Sequence, residues 1–236
     1  MTYSNKLNLD RFFHHVQDQE YAIIKLNSDF PNYYGGSDID IFCENGEEFA
    51  GKILEVGNEY VPQGFIIDTD CSEDNKIFID FYFKDKLDFR FDLYKALPQY
   101  QNMKIKQWFF HSVVDRRKAM KRKYDENEYY AYVPDEIDDL ILRYIEYFEW
   151  YEKKPDKIGH LEYVRNRLSL NSKRDRFFDR LYLYAELPGS AGKEDKFHIS
   201  KKIYRSFLFS TANIRNTPLK QVPIKVIKRF YRILTQ

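Results

Sequence analysis

The sequence contains little cysteine and no long apolar run, and each of these absences excludes a class of protein. Only two cysteines, Cys43 and Cys71, occur in 236 residues, so a disulfide framework is excluded and we expect both to be reduced and buried. No apolar run reaches the roughly 18 residues of a membrane span. The opening residues MTYSNKLNLDRFF lack the apolar core of an export signal, and no histidine has zinc-ligand spacing. We therefore expect a cytoplasmic protein without structural zinc.

Short β-rich runs fill the first part of the chain. YAIIKL and DIDIFC are typical of strands, and GEEFAGKILEVGNEY, which follows DIDIFC, has the apolar spacing of a helix. GFIIDTD, KIFIDFYFK and LDFRFDLY are separated by polar turns and predict an antiparallel meander. Because the chain contains 20 Tyr and 20 Phe, we expect a core in which rings pack on aliphatic side chains.

The second part of the chain indicates helices. KQWFFHSVVDRRKAMKRK is amphipathic, and PDEIDDLILRYIEYFEWYEKK opens with Pro134 and acidic residues and closes on lysines. PDKIGHLEYVRNRL and SKRDRFFDRLYLYAEL predict two further helices, and PGSAGKED is a linker candidate. We therefore expect an α+β protein, with a mixed-sheet domain over residues 1–100, a helical domain over 101–199 and a tail over 200–236.

The tail is basic, although the whole chain has a net charge of only +1. It contains no Asp or Glu, so the rest of the chain carries a net charge of about −8. Its nine basic residues are Lys201, Lys202, Arg205, Arg215, Lys220, Lys225, Lys228, Arg229 and Arg232. After Pro223, an apolar stripe at helical spacing comprises Val226, Ile227, Phe230, Ile233 and Leu234. This pattern predicts a helix that binds an anionic membrane surface or a partner protein, with nucleic acid as a weaker alternative. The remaining alternative is a helix that packs on the body of the protein.

The stretch YYGGSDIDIFC, from Tyr33 to Cys43, carries the chemistry. Residues two apart on a strand share a face, so Asp38 and Asp40 project together. Unpaired neighbouring carboxylates are costly, and a divalent cation such as Mg²⁺ removes that cost. If LDFRFDLY lies beside DIDIFC, Asp92 can complete a triad. Three carboxylates around two Mg²⁺ ions is the arrangement used for nucleotidyl transfer.

GGSDIDIF followed by FRFDLY resembles the nucleotidyltransferase superfamily of the DNA polymerase beta type. The wider pattern YAIIKLNSDFPNYYGGSDIDIF also resembles small nucleotidyltransferase-like proteins encoded with bacterial surface-polysaccharide genes. The resemblance implies a nucleotidyltransferase-like sheet domain over residues 1–100. It implies that Asp38, Asp40 and Asp92 are metal ligands for Mg²⁺, or for Mn²⁺, and that Asp92 is the base. It also implies an NTP as donor and a small acceptor, a sugar or polyol precursor of a surface polymer.

Two assignments within this resemblance stay open. The phosphates are held either by Ser28 with Lys25 or by the turn Gly35-Gly36-Ser37, because the family's Gly-Ser element usually precedes the D-x-D pair by about ten residues. Asp80 in FIDFYF is a rival to Asp92 as third carboxylate, although Asp92 falls nearer the end of its strand.

Two other functions compete with nucleotidyl transfer. One is a phosphotransferase of the phosphocholine-transferring type, which also uses a DIDI strand. The other is an inactive nucleotidyltransferase-like fold that serves as a binding or antitoxin-like module. Intact Asp38, Asp40 and Asp92 argue against the inactive module.

Overall fold

In the computed structural model the described residues are 3–100, 104–150, 153–168 and 171–186. They belong to two compact units. The first unit joins Met1–Pro98 to Gln107–Asp139, and the second joins Gln99–Lys106 to the residues from Leu140 onward. The predicted linker and the basic tail lie outside the described residues. In the described part, no helix has both the length and the apolar character needed to cross a membrane.

The described residues form six α-helices and nine β-strands, with 3₁₀ turns at Val61–Gln63 and Pro155–Lys157. The helices are α1 (Leu9–His15), α2 (Gly46–Asn58), α3 (Trp108–Asp115), α4 (Glu136–Trp150), α5 (Ile158–Arg167) and α6 (Asn171–Tyr184). The strands are β1 (Tyr21–Ile24), β2 (Ser37–Cys43), β3 (Phe65–Asp70), β4 (Lys76–Phe83), β5 (Lys86–Tyr94), β6 (Lys104–Ile105), β7 (Lys118–Tyr124), β8 (Asn127–Val133) and β9 (Ala185–Glu186).

Five strands of the first unit form one mixed sheet in the order β1-β2-β5-β4-β3. β2 and β5 are parallel, and every other neighbouring pair is antiparallel. The α+β class and the mixed sheet are thus confirmed, and the predicted meander is β3, β4 and β5. Because the meander ends beside β2, it brings together two strands that are far apart in the sequence.

One face of this sheet is the hydrophobic core of the first unit. Alternate residues of its strands, such as Ile39, Ile79 and Phe91, are buried in the same cluster as residues of α1 and α2. Phe12 of α1 lies 5.2 Å from Phe91 and 5.6 Å from Tyr60, measured between ring centroids. The expected ring-rich core is therefore present. Since side chains alternate along a strand, the intervening residues face the other way.

The predicted helix over residues 106–123 is correct only in its first part. α3 ends at Asp115, and Lys118–Tyr124 is a strand that pairs with β8 in an antiparallel hairpin. The residues of KAMKRKY alternate, because Met120, Arg122 and Tyr124 are half-buried while the residues between them are exposed. Period-two alternation favours a strand over a helix, and here it prevailed over the amphipathic helical pattern.

The hairpin also changes the division of the chain from the expected boundary at residue 100. Residues Gln107–Asp139 group with the sheet rather than with the later helices. Nε of Arg122 donates to Asp10 of α1 over 3.1 Å. Phe110 of α3 packs on Phe42 of β2, with ring centroids 4.7 Å apart. These contacts attach α3 and the hairpin to the first unit, so the helical part begins later than expected.

The helices predicted for the second part of the chain occur as α4, α5 and α6. Asp135 caps α4, because its carboxylate accepts the Asp138 N–H at 2.9 Å. In the second unit, Lys157 pairs with Glu146 across 2.9 Å, and the rings of Tyr144 and Phe177 meet edge-on at 5.7 Å. Ring packing and ion pairs therefore hold these helices together.

The two cysteines differ in their surroundings. Both are free thiols, but Cys43 is buried in β2 and Cys71 is exposed just after β3. Burial raises the pKa of the Cys43 thiol to about 12. The expectation that both are buried is therefore wrong for Cys71, which lies in the polar loop between β3 and β4.

Candidate active site

The outward face of the five-stranded sheet carries the predicted carboxylates in two cross-strand rows. In the first row, Arg90 of β5 stands between Asp38 of β2 and Asp80 of β4. In the second row, Asp40 of β2 stands opposite Asp92 of β5. Register partners on neighbouring strands share a face and lie about 5 Å apart. We call these five side chains the polar face.

This register brings together the three carboxylates that the sequence suggests as a triad. Asp40 and Asp92 are directly opposed on adjacent parallel strands, and Asp38 lies one row away on the same face. Asp80 lies on β4, which β5 separates from β2. The structure therefore places Asp92, and not Asp80, beside the D-x-D pair.

Two lysines neutralise two of these carboxylates. Nζ of Lys25, which follows β1, lies 2.6 Å from Oδ2 of Asp40. Nζ of Lys76, at the start of β4, lies 2.6 Å from Oδ2 of Asp92. The four side chains are at most 18% exposed, so solvent screens the pairs only weakly. Pairing avoids the cost of burying a lone carboxylate.

Asp92 is the most buried carboxylate of the three. Lys76, which bonds its Oδ2, is held between the rings of Phe78 and Tyr94, with Nζ 4.2 and 4.4 Å from their centroids. The other oxygen, Oδ1, is buried and has no hydrogen-bond partner. Burial raises the pKa of Asp92, while Lys76 opposes the rise and the charges of the D-x-D pair add to it. A buried oxygen without a donor is costly, so Oδ1 is suited to accept a cation or a proton.

The oxygen atoms of the polar face are of the kind that a divalent cation of the Mg²⁺ type binds. Carboxylate oxygens are the ligands that Mg²⁺ prefers, and Oδ1 of Asp92, which has no hydrogen-bond partner, is one such oxygen. Across the described ranges, however, no group of three or more His, Cys, Asp and Glu side chains is already gathered around a metal position. The ammonium groups of Lys25 and Lys76 each lie against one of the carboxylates. A metal would have to compete with them.

The turn Gly35-Gly36-Ser37 is closed by its own hydrogen bonds. The Gly36 N–H donates to the Asp88 carbonyl at 2.9 Å, and the Ser37 N–H donates to the Tyr34 carbonyl at 3.0 Å. The Ser37 hydroxyl accepts the Tyr34 N–H at 3.2 Å. Gly36 has φ +82°, which favours glycine. The turn therefore uses the N–H groups of Gly36 and Ser37 to start β2, whereas a phosphate cradle would need them free.

Lys25 and Ser28, the alternative phosphate-binding residues, lie in different surroundings. Lys25 extends its side chain to Asp40, within the site. Ser28 is exposed, and its hydroxyl donates to Asp29 at 3.3 Å. Of these two residues, Lys25 is the one that the structure brings to the carboxylates.

Asp80, the rival third carboxylate, is occupied by Arg90. Nε and Nη2 of Arg90 donate to its two oxygens at 2.5 and 2.6 Å. The Tyr82 hydroxyl donates to Oδ2 at 3.0 Å. The Arg90 hydrogen bonds are the main reason that the pKa of Asp80 is lowered. Asp80 is therefore an ionised, fully bonded carboxylate.

Sequence reasoning missed the roles of Lys76 and Arg90. Neither residue is among the site residues predicted from the sequence. Lys76 lies two residues before Phe78, so the period of β4 alone puts both on the polar side. The pairing of Lys76 with Asp92 also needs the β4–β5 register, which only the folded sheet provides.

No protein-family model, no curated protein and no solved structure matches this chain.

Proposed function

We propose that the protein is a Mg²⁺-dependent nucleotidyltransferase, which moves a nucleoside monophosphate from an NTP to a small sugar-, polyol- or phosphate-type acceptor. The register that sets Asp40 opposite Asp92, with Asp38 one row away, is the observation that carries this proposal. The resemblance to proteins of surface-polysaccharide gene clusters suggests a polymer precursor as acceptor. Bound Mg²⁺ would neutralise the triphosphate and orient the leaving pyrophosphate.

The side chains of the polar face would have distinct roles. Asp38 and Asp40 would hold the metal together with Asp92, which would also accept the proton of the attacking hydroxyl. Oδ1 of Asp92 supports this role, because it has no hydrogen-bond partner. Lys25 would turn from Asp40 to a phosphate of the donor once a metal neutralises the carboxylate.

A second function, a non-catalytic binding module, is favoured by the same lysines. Lys25 and Lys76 already neutralise Asp40 and Asp92, so the fold does not need a metal to tolerate these carboxylates. In such a module the polar face would bind a ligand without transferring a nucleotidyl group.

Pyrophosphate release with each of the four NTPs, Mg²⁺ and a panel of sugar and polyol phosphates tests the enzyme. We expect release by the wild type, loss in Asp40→Asn, and retention in the control Asp68→Asn. Asp68 lies on the same face of the sheet but on the edge strand β3, opposite Asp80. Calorimetry of nucleotide binding with and without Mg²⁺ adds the second criterion. If the protein binds nucleotide but releases pyrophosphate with none of the acceptors, the result favours the binding module. If nucleotide binding does not depend on Mg²⁺, the result contradicts the transferase.

A further inference from the structure

Arg90 is a strongly oriented cation in the polar face to which the proposed reaction assigns no role. Two parallel hydrogen bonds, of 2.5 and 2.6 Å, join its Nε and Nη2 to Asp80. Its Cζ lies 5.0 Å from the centroid of the Phe78 ring. A bidentate pair and a ring contact together fix the plane of a guanidinium group. The direction in which its remaining N–H groups point is therefore fixed as well.

The bonds to Asp80 use only one edge of this guanidinium group. Five N–H donors are present in arginine, and two of them are engaged here. In the part of the chain that the structure describes, Nη1 makes no hydrogen bond. The Arg90 side chain is 34% exposed, whereas that of Asp80 is 9% exposed. The second edge, formed by Nη1 and the outer hydrogen of Nη2, has the shape that chelates phosphate.

The position of Arg90 points to the acceptor rather than the donor. Its Nε lies 3.9 Å from Oδ1 of Asp92, the atom that would take the proton from the attacking hydroxyl. Nε belongs to the edge that Asp80 holds, so the open edge lies at the other end of the guanidinium group. The guanidinium group as a whole nevertheless stands next to the proposed base. The donor phosphates, by contrast, are assigned to Lys25, whose ammonium group lies against Asp40 of β2, whereas Arg90 is held by Asp80 of β4.

Charge makes this binding depend on the metal. The four carboxylates of the polar face oppose three cations, Lys25, Lys76 and Arg90. The resulting excess of negative charge repels phosphate. A divalent cation removes this excess of negative charge, so an anion can then bind at Arg90.

We propose that Arg90 binds a phosphate group of the acceptor substrate and that Asp80 is the positioning residue of its guanidinium. This inference rests on the proposed function and narrows it. The acceptor is a phosphate monoester, of the sugar-phosphate or polyol-phosphate kind, rather than a neutral alcohol.

Inorganic phosphate is the probe for this subsite. It is titrated by calorimetry into the full-length protein after saturation with Mg²⁺ and tripolyphosphate, which fill the donor positions. Arg90→Lys should weaken phosphate binding roughly tenfold or more, since a lysine keeps the charge but loses the fork. Tripolyphosphate binding should change little. The matched control is Arg11→Lys, because Arg11 pairs with Glu59 on the helical side of the sheet, and it should bind phosphate like the wild type.

An unchanged affinity of Arg90→Lys for phosphate overturns the proposal. A loss of affinity for tripolyphosphate alone also overturns it, because Arg90 would then bind the donor phosphates. A second measurement uses only the wild type, so it tests the proposal even if Arg90→Lys does not fold. Phenylglyoxal modification of Arg90, followed by peptide mass spectrometry, should be slowed by phosphate with Mg²⁺ present, and equal rates overturn the proposal.

Failure of the proposed function has a different signature. Mg²⁺-dependent tripolyphosphate binding would then be absent, or would survive Asp40→Asn. In that case the phosphate titration is repeated with Mg²⁺ alone. If Arg90→Lys weakens phosphate binding there, Arg90 binds an anion, but the anion is not an acceptor substrate.

Discussion

Replacing Lys76 by methionine removes the ammonium group that neutralises Asp92 and leaves the two flanking rings a side chain of similar length to pack on. The Asp92 side chain is 8% exposed and that of Lys76 is 12% exposed, so little solvent screening applies. Breaking a buried ion pair from one side costs about 3 kcal/mol or more. Asp92 would keep only the more distant Nε of Arg90, 3.9 Å from its Oδ1. We expect a loss of about 3 kcal/mol in the free energy of unfolding at neutral pH without metal.

The loss should depend on pH, and its sign follows from Asp92. Burial raises the folded-state pKa of this carboxyl above its unfolded value. Its unfavourable contribution is therefore absent below the unfolded pKa of about 3.9 and grows as the pH rises. Without Lys76 the pKa rises further, so the difference between Lys76→Met and the wild type should be largest near neutrality and shrink towards pH 4. Adding Asp92→Asn should recover most of the stability.

Fluorescence can restrict the assay to the first unit. The chain has two tryptophans, and in a Trp150→Phe background the remaining Trp108 lies in α3 of the first unit. Urea unfolding in EDTA gives the free energy of unfolding. The control is Lys86→Met, at an exposed position of β5, and its free energy of unfolding should lie within about 0.5 kcal/mol of the wild type. Mg²⁺ should restore Lys76→Met more than it stabilises the wild type. A variant as stable as the control would refute the pair, and a variant that Mg²⁺ does not restore would refute the metal site.

Three further predictions follow from the same structure and from the tail. Asp38→Asn and Asp40→Asn should each lower pyrophosphate release by orders of magnitude, because metal charge stabilisation is worth several kcal/mol, and near-wild-type release contradicts the site. Arg90 depresses the pKa of Asp80, so Asp80→Asn should lower stability at neutral pH, and urea unfolding should show this difference fade as the pH falls below about 4. An undiminished difference at low pH contradicts that account. The full-length protein should sediment with anionic but not neutral vesicles in a salt-sensitive way, and a chain ending at Asn216 should not. Equal sedimentation of both chains contradicts the membrane function of the tail.

Local patterns predicted those elements whose periodicity is strong. The meander β3–β5 and helix α2 follow from alternation and from helical apolar spacing. The short helix α1 was not predicted, although Phe12 and Phe13 are completely buried in the core. Its seven residues are too few for periodicity to stand out, and its stability comes from packing. The hairpin β7–β8 was missed because its many lysines are typical of a solvated helix.

The sequence predicts those features of the site that depend on one strand alone. Asp38 and Asp40 share a face in any strand, whereas the position of Asp92 beside them depends on the parallel pairing of β2 with β5. That pairing is a long-range contact, and the sequence supplied it only through a family resemblance. The locations of Lys25 and Lys76 depend on two further registers, which local periodicity does not determine.

The free edge of the sheet has a consequence for how copies of this protein meet in a concentrated solution. β3 is the last strand in the order, and in the described ranges its outer side pairs with no other strand. Such an edge is a template for joining sheets end to end. Asp68 and Asp70 stand exposed on one face of β3, so two β3 strands that paired antiparallel around Thr69 would set Asp68 of each copy against Asp70 of the other. Like charges in opposite positions destabilise a ladder, so the edge discourages fibre-like growth.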